Sequence, residues 1–287
     1  MKKFKETAMK FVFLICACVS VIAVILICVF LFTNGISAIS DIGVKEFLLG
    51  TSWKPLQNLF GIFPMILGSI YVTAGAIIIG VPIGILCAVF MAKFCPDKLY
   101  KVIKPCINLM AGIPSIVFGF FGLVVIVPIM QNIFGGSGKS ILTASIMLGI
   151  MILPTIISIS ESSIRAVPES YYEGALALGA THERSVFFSV LPAAKSGVTA
   201  GVILGIGRAI GEALAVSMVA GNQTLIPNGP LSGVRTLTAN IVLEMGYAAD
   251  LHRGALIATG VVLFVFILII NVLFSLFKTS SKKEKSK

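Results

Sequence analysis

Charge is scarce in this chain. Only 12% of its 287 residues are Asp, Glu, Lys or Arg, roughly half the ~25% of a soluble domain. The 57% that are hydrophobic include runs long enough to cross a bilayer. This excludes a soluble globular enzyme and points to a polytopic membrane protein. Catalytic equipment is equally thin. The two histidines, His182 and His252, lie in loops between apolar runs, so neither can activate a serine within the bilayer. No HExxH motif occurs, and the six cysteines form no CxxC pair, which reads as packing filler rather than a metal or disulfide site. The stretch Gly135-Gly136-Ser137-Gly138-Lys139-Ser140 ends like a P-loop, but that pattern needs glycine where Ile133 stands, and no strand precedes it. The chain therefore carries no ATPase of its own, and no cofactor is implied.

What is present is apolar sequence in six blocks, at about residues 11–32, 66–92, 108–131, 141–160, 196–220 and 255–277. Each is near the ~20 residues that a helix needs to span the hydrocarbon core. The expected fold class is all-α with six transmembrane helices. Residues 1–65 would supply one helix and an external loop, residues 66–278 a five-helix core, and residues 279–287 a basic tail. The net charge of +10 sits mostly in short flanks of these blocks, a topology signal and not a nucleic-acid stripe. With six spans both termini share a side. That side holds four Lys/Arg before the first block, four at 93–107, three at 161–195 and five in the tail; the other holds Lys45, Lys54, Lys139, Arg235 and Arg253. The excess predicts cytoplasmic termini.

One polar island, Glu161 to Lys195, interrupts the apolar chain with four Glu, two Arg, one Lys and a His. Connections between bundled helices are commonly 2–8 residues, so an island of this length calls for a role of its own. Pro168 suits a helix start and Gly179 a helix stop. Thr181 can cap a second short helix through Val190, which Pro192 is expected to end.

Within the island, Glu173-Gly174-Ala175, then Gly179, then Leu191-Pro192 resembles the EAA loop of ABC-importer permeases. That pattern is Glu-Ala-Ala, three residues, Gly, nine residues, Ile, one residue, Leu-Pro. The spacing matches throughout, with Gly174 in place of the first Ala and Ser189 in place of Ile. AGIPSIVFGFFGL from Ala111, GIGRAIGEALAV from Gly205 and RTLTANIVLEMGYA from Arg235 are similar to PstC-type permeases of bacterial phosphate importers. PstA-type paralogues share the first two stretches, so the third carries the distinction. The resemblance implies a type I ABC importer permease fold with the first helix wrapped around the outside. It also implies a multi-pass protein of the bacterial plasma membrane, and inorganic phosphate as the transported species. The partners it implies are a cytoplasmic ABC ATPase dimer docked on Glu173, Gly174, Ala175, Gly179, Leu191 and Pro192, a second permease of PstA type, and an external phosphate-binding protein. An ion-coupled secondary carrier would need a coupling-ion site in broken, repeated helices. A non-transporting scaffold would have no use for charge inside a span.

Such charge exists. Gly197, Gly201, Gly205, Arg208 and Glu212 recur at helical spacing and share one face. Glycines there allow close approach of a neighbouring helix, and Arg208 and Glu212, one turn apart, are expected to pair. An intramembrane charge costs at least ~2.5–3.5 kcal/mol on insertion scales and usually faces an interior cavity. Arg is suited to an oxyanion because its planar fork stays charged. Arg208 and Glu212 are thus candidate elements of an anion pathway, against the alternative of a structural pair locking two helices.

Overall fold

The computed structural model describes the backbone of residues 2–283 and side chains from 6 to 273 apart from residue 8; the last four residues of the basic tail lie outside it. Helix α1 (Lys2–Ile42) is followed by α2 (Val44–Leu49) and a two-stranded hairpin, β1 (Trp53–Lys54) and β2 (Leu59–Phe60), paired antiparallel. Then come α3 (Phe63–Val89), α4 (Asp97–Gly112), α5 (Ser115–Phe121), α6 (Val127–Phe134) and α7 (Ile141–Arg165). The island forms α8 (Ser170–Ala177), α9 (His182–Ser185) and α10 (Leu191–Ala193); α11 (Lys195–Gly211), α12 (Leu214–Val219), α13 (Leu237–Glu244) and α14 (Asp250–Lys283) complete the chain. Among the described residues five helical stretches are long and apolar enough to cross a membrane, and six if the pair His182–Ala193 and Lys195–Gly211, bent by 72°, counts as one.

The centre of the bundle is α7, whose side chains pack into glycines on both neighbours. On α3, a Cβ at Gly80 would meet the Gly149 carbonyl and Ile152 at 2.9 Å, and one at Gly84 would meet Ile156 at 2.8 Å. On α11, Gly201 faces Ile159 and Ser160, and Gly205 faces Ile156 at 2.8 Å. With lipid as solvent, hydrophobicity gives helices no reason to associate, so van der Waals contact at such small residues holds them together. A second core joins Ala38, Phe47, Trp53, Phe60 and Met65 to Leu237, Ala255 and Ala258, anchoring the upper part of α1 and the hairpin on α14. Below that anchor, Phe11 to Phe30 of α1 stand away from the bundle and are largely exposed.

Three expectations about the spans need correction. The third block is two elements: α4 lies separately, and the chain breaks at Ile113–Pro114 before α5 begins the span. Ile113 is extended (φ −69°, ψ 127°), as the residue before a proline prefers. The first helix runs on to Ile42 instead of ending near residue 32. Finally, Pro192 does not end the second island helix. A widened π-helical turn, Val186–Val190, precedes it, and the Leu191 N–H bonds back to the Val186 carbonyl.

Among the described residues that device appears three times. The turns Phe90–Phe94, Gly122–Ile126 and Val186–Val190 are closed by the N–H of Cys95, Val127 and Leu191 respectively, and each closing residue is followed by proline. Proline lacks an N–H and its ring collides with the carbonyl four residues back. An extra residue in the preceding turn moves that carbonyl aside, so the helix passes Pro128 and Pro192 without an orphaned group, whereas at Cys95, which is extended, the helix ends.

Candidate functional site

The island folds into a compact protrusion. Gly179, at φ +83°, takes the left-handed conformation that ends a helix at low cost for glycine alone. The Ala180 N–H then bonds back to the Ala175 carbonyl at 3.1 Å. Thr181 caps α9 by accepting from the Arg184 N–H at 3.4 Å. Glu173, Gly174 and Gly179 are exposed, Ala175 is half-buried, Leu178 is 90% exposed, and Leu191 and Pro192 follow on the way to the bend at Ala194. No atom lies within 4 Å of the Cβ position at Gly174. The structure thus brings Glu173 to Gly179 together as one open ridge, with Leu191 and Pro192 at its base.

Beneath the ridge is a polar cluster that sequence reasoning missed. Glu161, 2% exposed near the end of α7, accepts from Lys104 Nζ at 2.6 Å, from the Tyr100 hydroxyl at 3.0 Å and from Arg165. Arg165 also donates to the Met91 carbonyl at 2.8 Å and lies 4.3 Å over the Tyr100 ring. Glu161 and Arg165 sit at i, i+4, which sequence shows, but Lys104 is 57 residues away and no local signal joins it to Glu161. The cluster fastens α4 across the ends of α7 and α3.

At the opposite end Glu244 has a matching set. Trp53 Nε1 donates to it at 2.9 Å, His252 Nε2 lies 2.8 Å away, and Arg235 pairs with its other oxygen. Arg235 also donates to Asn240 Oδ1 at 3.1 Å and to the Asn222 carbonyl at 3.2 Å. A cavity of about 580 Å³, lined in part by Leu56, Asn58, Glu244, Tyr247 and His252, opens beside it.

Arg208 and Glu212 do not pair. Helix α11 ends at Gly211, and Glu212 is extended (φ −73°, ψ 126°), so the helical register that would stack one over the other is lost. The Glu212 carboxylate instead accepts from the Ala215 N–H at 3.0 Å, capping α12, while its carbonyl accepts from Thr238 at 2.8 Å. Arg208 is half-buried and donates to the Thr155 hydroxyl of α7 at 3.4 Å, a long bond for a guanidinium. Among the described residues no carboxylate forms an ion pair with it. Around it the face of α11 is open: Leu204 is 56% exposed, and Cβ positions at Gly207 and Gly211 meet nothing within 4 Å. A guanidinium left without a carboxylate on such a face can take an anion from outside the chain.

Comparison with known proteins completes the picture. Residues 80–283 match the family model described as binding-protein-dependent transport system inner membrane component. A probable ABC transporter permease protein, YqgH, of Bacillus subtilis is 41% identical over 271 residues, spanning 91% of this chain and 88% of that protein. The phosphate transport system permease protein PstC of Mesorhizobium japonicum is 35% identical over 261 residues, covering 84% and 80%. Among solved structures, an inward-facing form of the MetNI methionine ABC transporter superposes with a TM-score of 0.62 at 19% identity, covering 80% of this chain and 99% of that one; this likeness concerns the fold.

Proposed function

The chain belongs to the binding-protein-dependent transport system inner membrane component family, and from that premise we propose that it is the permease subunit of an ATP-driven importer that moves inorganic phosphate into the cell. The observation that carries the reading is the folded ridge from Glu173 to Gly179, exposed at every position but Ala175, at one end of the bundle. An ATPase in a separate subunit docks there as a dimer and supplies the energy. The relatives named as phosphate permeases supply the substrate. The Lys/Arg excess supports a cytoplasmic side for both termini and the ridge, and the opposite end, with the cavity beside Glu244, receives an external phosphate-binding protein. The exposed apolar faces of α5 and α11, with Ile116, Phe120 and Leu204, are covered by a second permease of PstA type, and lipid covers the rest. Residues 66–278 form the moving core, with the first helix as its outer support.

Within that core Arg208, which among the described residues holds only the Thr155 hydroxyl, contacts the passing anion, and Glu212 stands on the broken segment that follows α11 as the second pathway residue. The test is ATP-dependent uptake by the reconstituted four-component complex, with phosphate competed by sulfate, molybdate and phosphonate. R208Q, inserted normally, is expected to lower uptake at least about tenfold, since a charge-assisted hydrogen bond contributes about 1.5–3 kcal/mol. Uptake by R208Q at the native rate would end the pathway role. Uptake driven by an ion gradient without ATP would end the importer reading.

A further inference from the structure

We propose that the widened turn Phe90–Phe94 at the end of α3 is a second attachment point of the island, through which its displacement is delivered to α3; Lys93, Phe94, Tyr172 and His182 are the positioning residues. This rests on the importer reading above and adds a route for the force. The island is joined covalently to α7 and α11, whereas α3 precedes it in the chain by more than seventy residues and can feel it only through contacts. Those contacts form a continuous ladder. Lys93 Nζ pairs with Glu169 at 3.0 Å and lies 5.3 Å over the Tyr172 ring. The Tyr172 hydroxyl is 2.6 Å from His182 Nδ1, and the His182 ring meets Phe94 edge-on at 4.6 Å. The ladder therefore bridges both island helices, α8 and α9, to one turn of α3. On the far side of that turn, Arg165 donates to the Met91 carbonyl, which binds the turn to the Glu161 cluster as well.

Geometry explains why this turn can serve. A π-helical turn is wider than its neighbours and displaces the side chains at its end from the register of the helix above, which aims Lys93 and Phe94 at the island. Next to the ladder, Ala88 and Val89 of α3 share an apolar core with Ile164, Val186, Val190 and Val198, so the island and the end of α3 are packed together. About two to three turns further from the ladder, α3 meets α7 through Gly84 and Gly80. Those notches seat Ile152 and Ile156 of α7, so a displacement of α3 is passed on to the centre of the bundle. A load on the ridge is thus passed to α3 through the ladder.

The experiment uses the complete complex in proteoliposomes and measures ATP hydrolysis and uptake together. In H182A and K93M the ATPase subunit is expected to co-purify and hydrolyse ATP within about twofold of wild type, while uptake per ATP falls at least about fivefold, within the range by which single residues modulate coupling. H182F, which keeps a ring against Phe94, is expected to recover most of the loss. Parallel loss of hydrolysis and uptake, or an unchanged ratio, would overturn the proposal. Should H182A lose the ATPase subunit altogether, K93E and the double exchange K93E/E169K decide the matter: the ratio falls in the first and returns in the second, and failure to return refutes the ladder. Wild-type uptake reads the substrate separately. A complex that carries another anion corrects the substrate and leaves the ratio measurable, whereas a chain that retains no ATPase refutes the function itself.

Discussion

Two carboxylates at opposite ends of the bundle, Glu161 and Glu244, contrast with a third, Glu212, between them. The first two are buried and saturated: each accepts from an aromatic donor and from two basic side chains. Each ties a peripheral element onto the core, α4 in one case and the hairpin in the other. Glu212 holds one backbone N–H, and its neighbour Arg208 holds one long hydrogen bond to a hydroxyl. Charges that fix structure are fully partnered here. Arg208 and Glu212, inside the bundle, are left short of partners.

The largest stability effect is expected at Glu244. E244Q leaves Arg235, whose side chain is only 16% exposed, without a counter-charge, and breaking a buried pair costs about 3–5 kcal/mol. The chain's single tryptophan, Trp53, donates to this carboxylate, so its emission at room temperature should shift in E244Q, and thermal unfolding in detergent should come earlier. An unchanged emission and midpoint would break the contrast at this end.

A smaller loss is expected at Glu161. Lys104 and Arg165 are 25% and 44% exposed and can turn to water once E161Q removes the charge, so the cost falls to about 2 kcal/mol. Tryptophan emission should stay at its native value, because the cluster lies at the other end. A shift as large as that of E244Q would mean that the two ends are not independent.

The part of this contrast that sequence makes legible is uneven, for physical reasons. Apolar length marks the spans, because lipid demands it locally. The ridge is legible because Gly179 and Thr181 act on adjacent residues, and Gly197, Gly201 and Gly205 announce close helix packing by their spacing alone. The roles of Glu161 and Glu244 are hidden, since their partners Lys104 and Trp53 lie 57 and 191 residues away. The division of residues 97–121 into α4 and α5 is obscured because the apolar end of α4 runs directly into the span, with only Pro114 to mark the break. Arg208 and Glu212 mislead in the opposite direction. Their i, i+4 spacing is a pair in a continuous helix, and nothing adjacent but Gly211 signals that α11 stops between them.

The smallest effect is expected at Glu212. In E212Q the amide oxygen can still accept from the Ala215 N–H, so the cap on α12 survives, and no cation loses a partner. Stability should change by less than about 0.5 kcal/mol, whereas E212A, which removes the acceptor, should cost about 1 kcal/mol. Both are read from thermal unfolding of the detergent-solubilised chain, where Arg208 has no second permease to lean on. A loss above about 2 kcal/mol in E212Q would place Glu212 with Glu161 and Glu244 among the saturated carboxylates. It would mean that Arg208 already has its counter-charge at rest, and an anion arriving in the pathway would then have to displace a buried ion pair before it could bind.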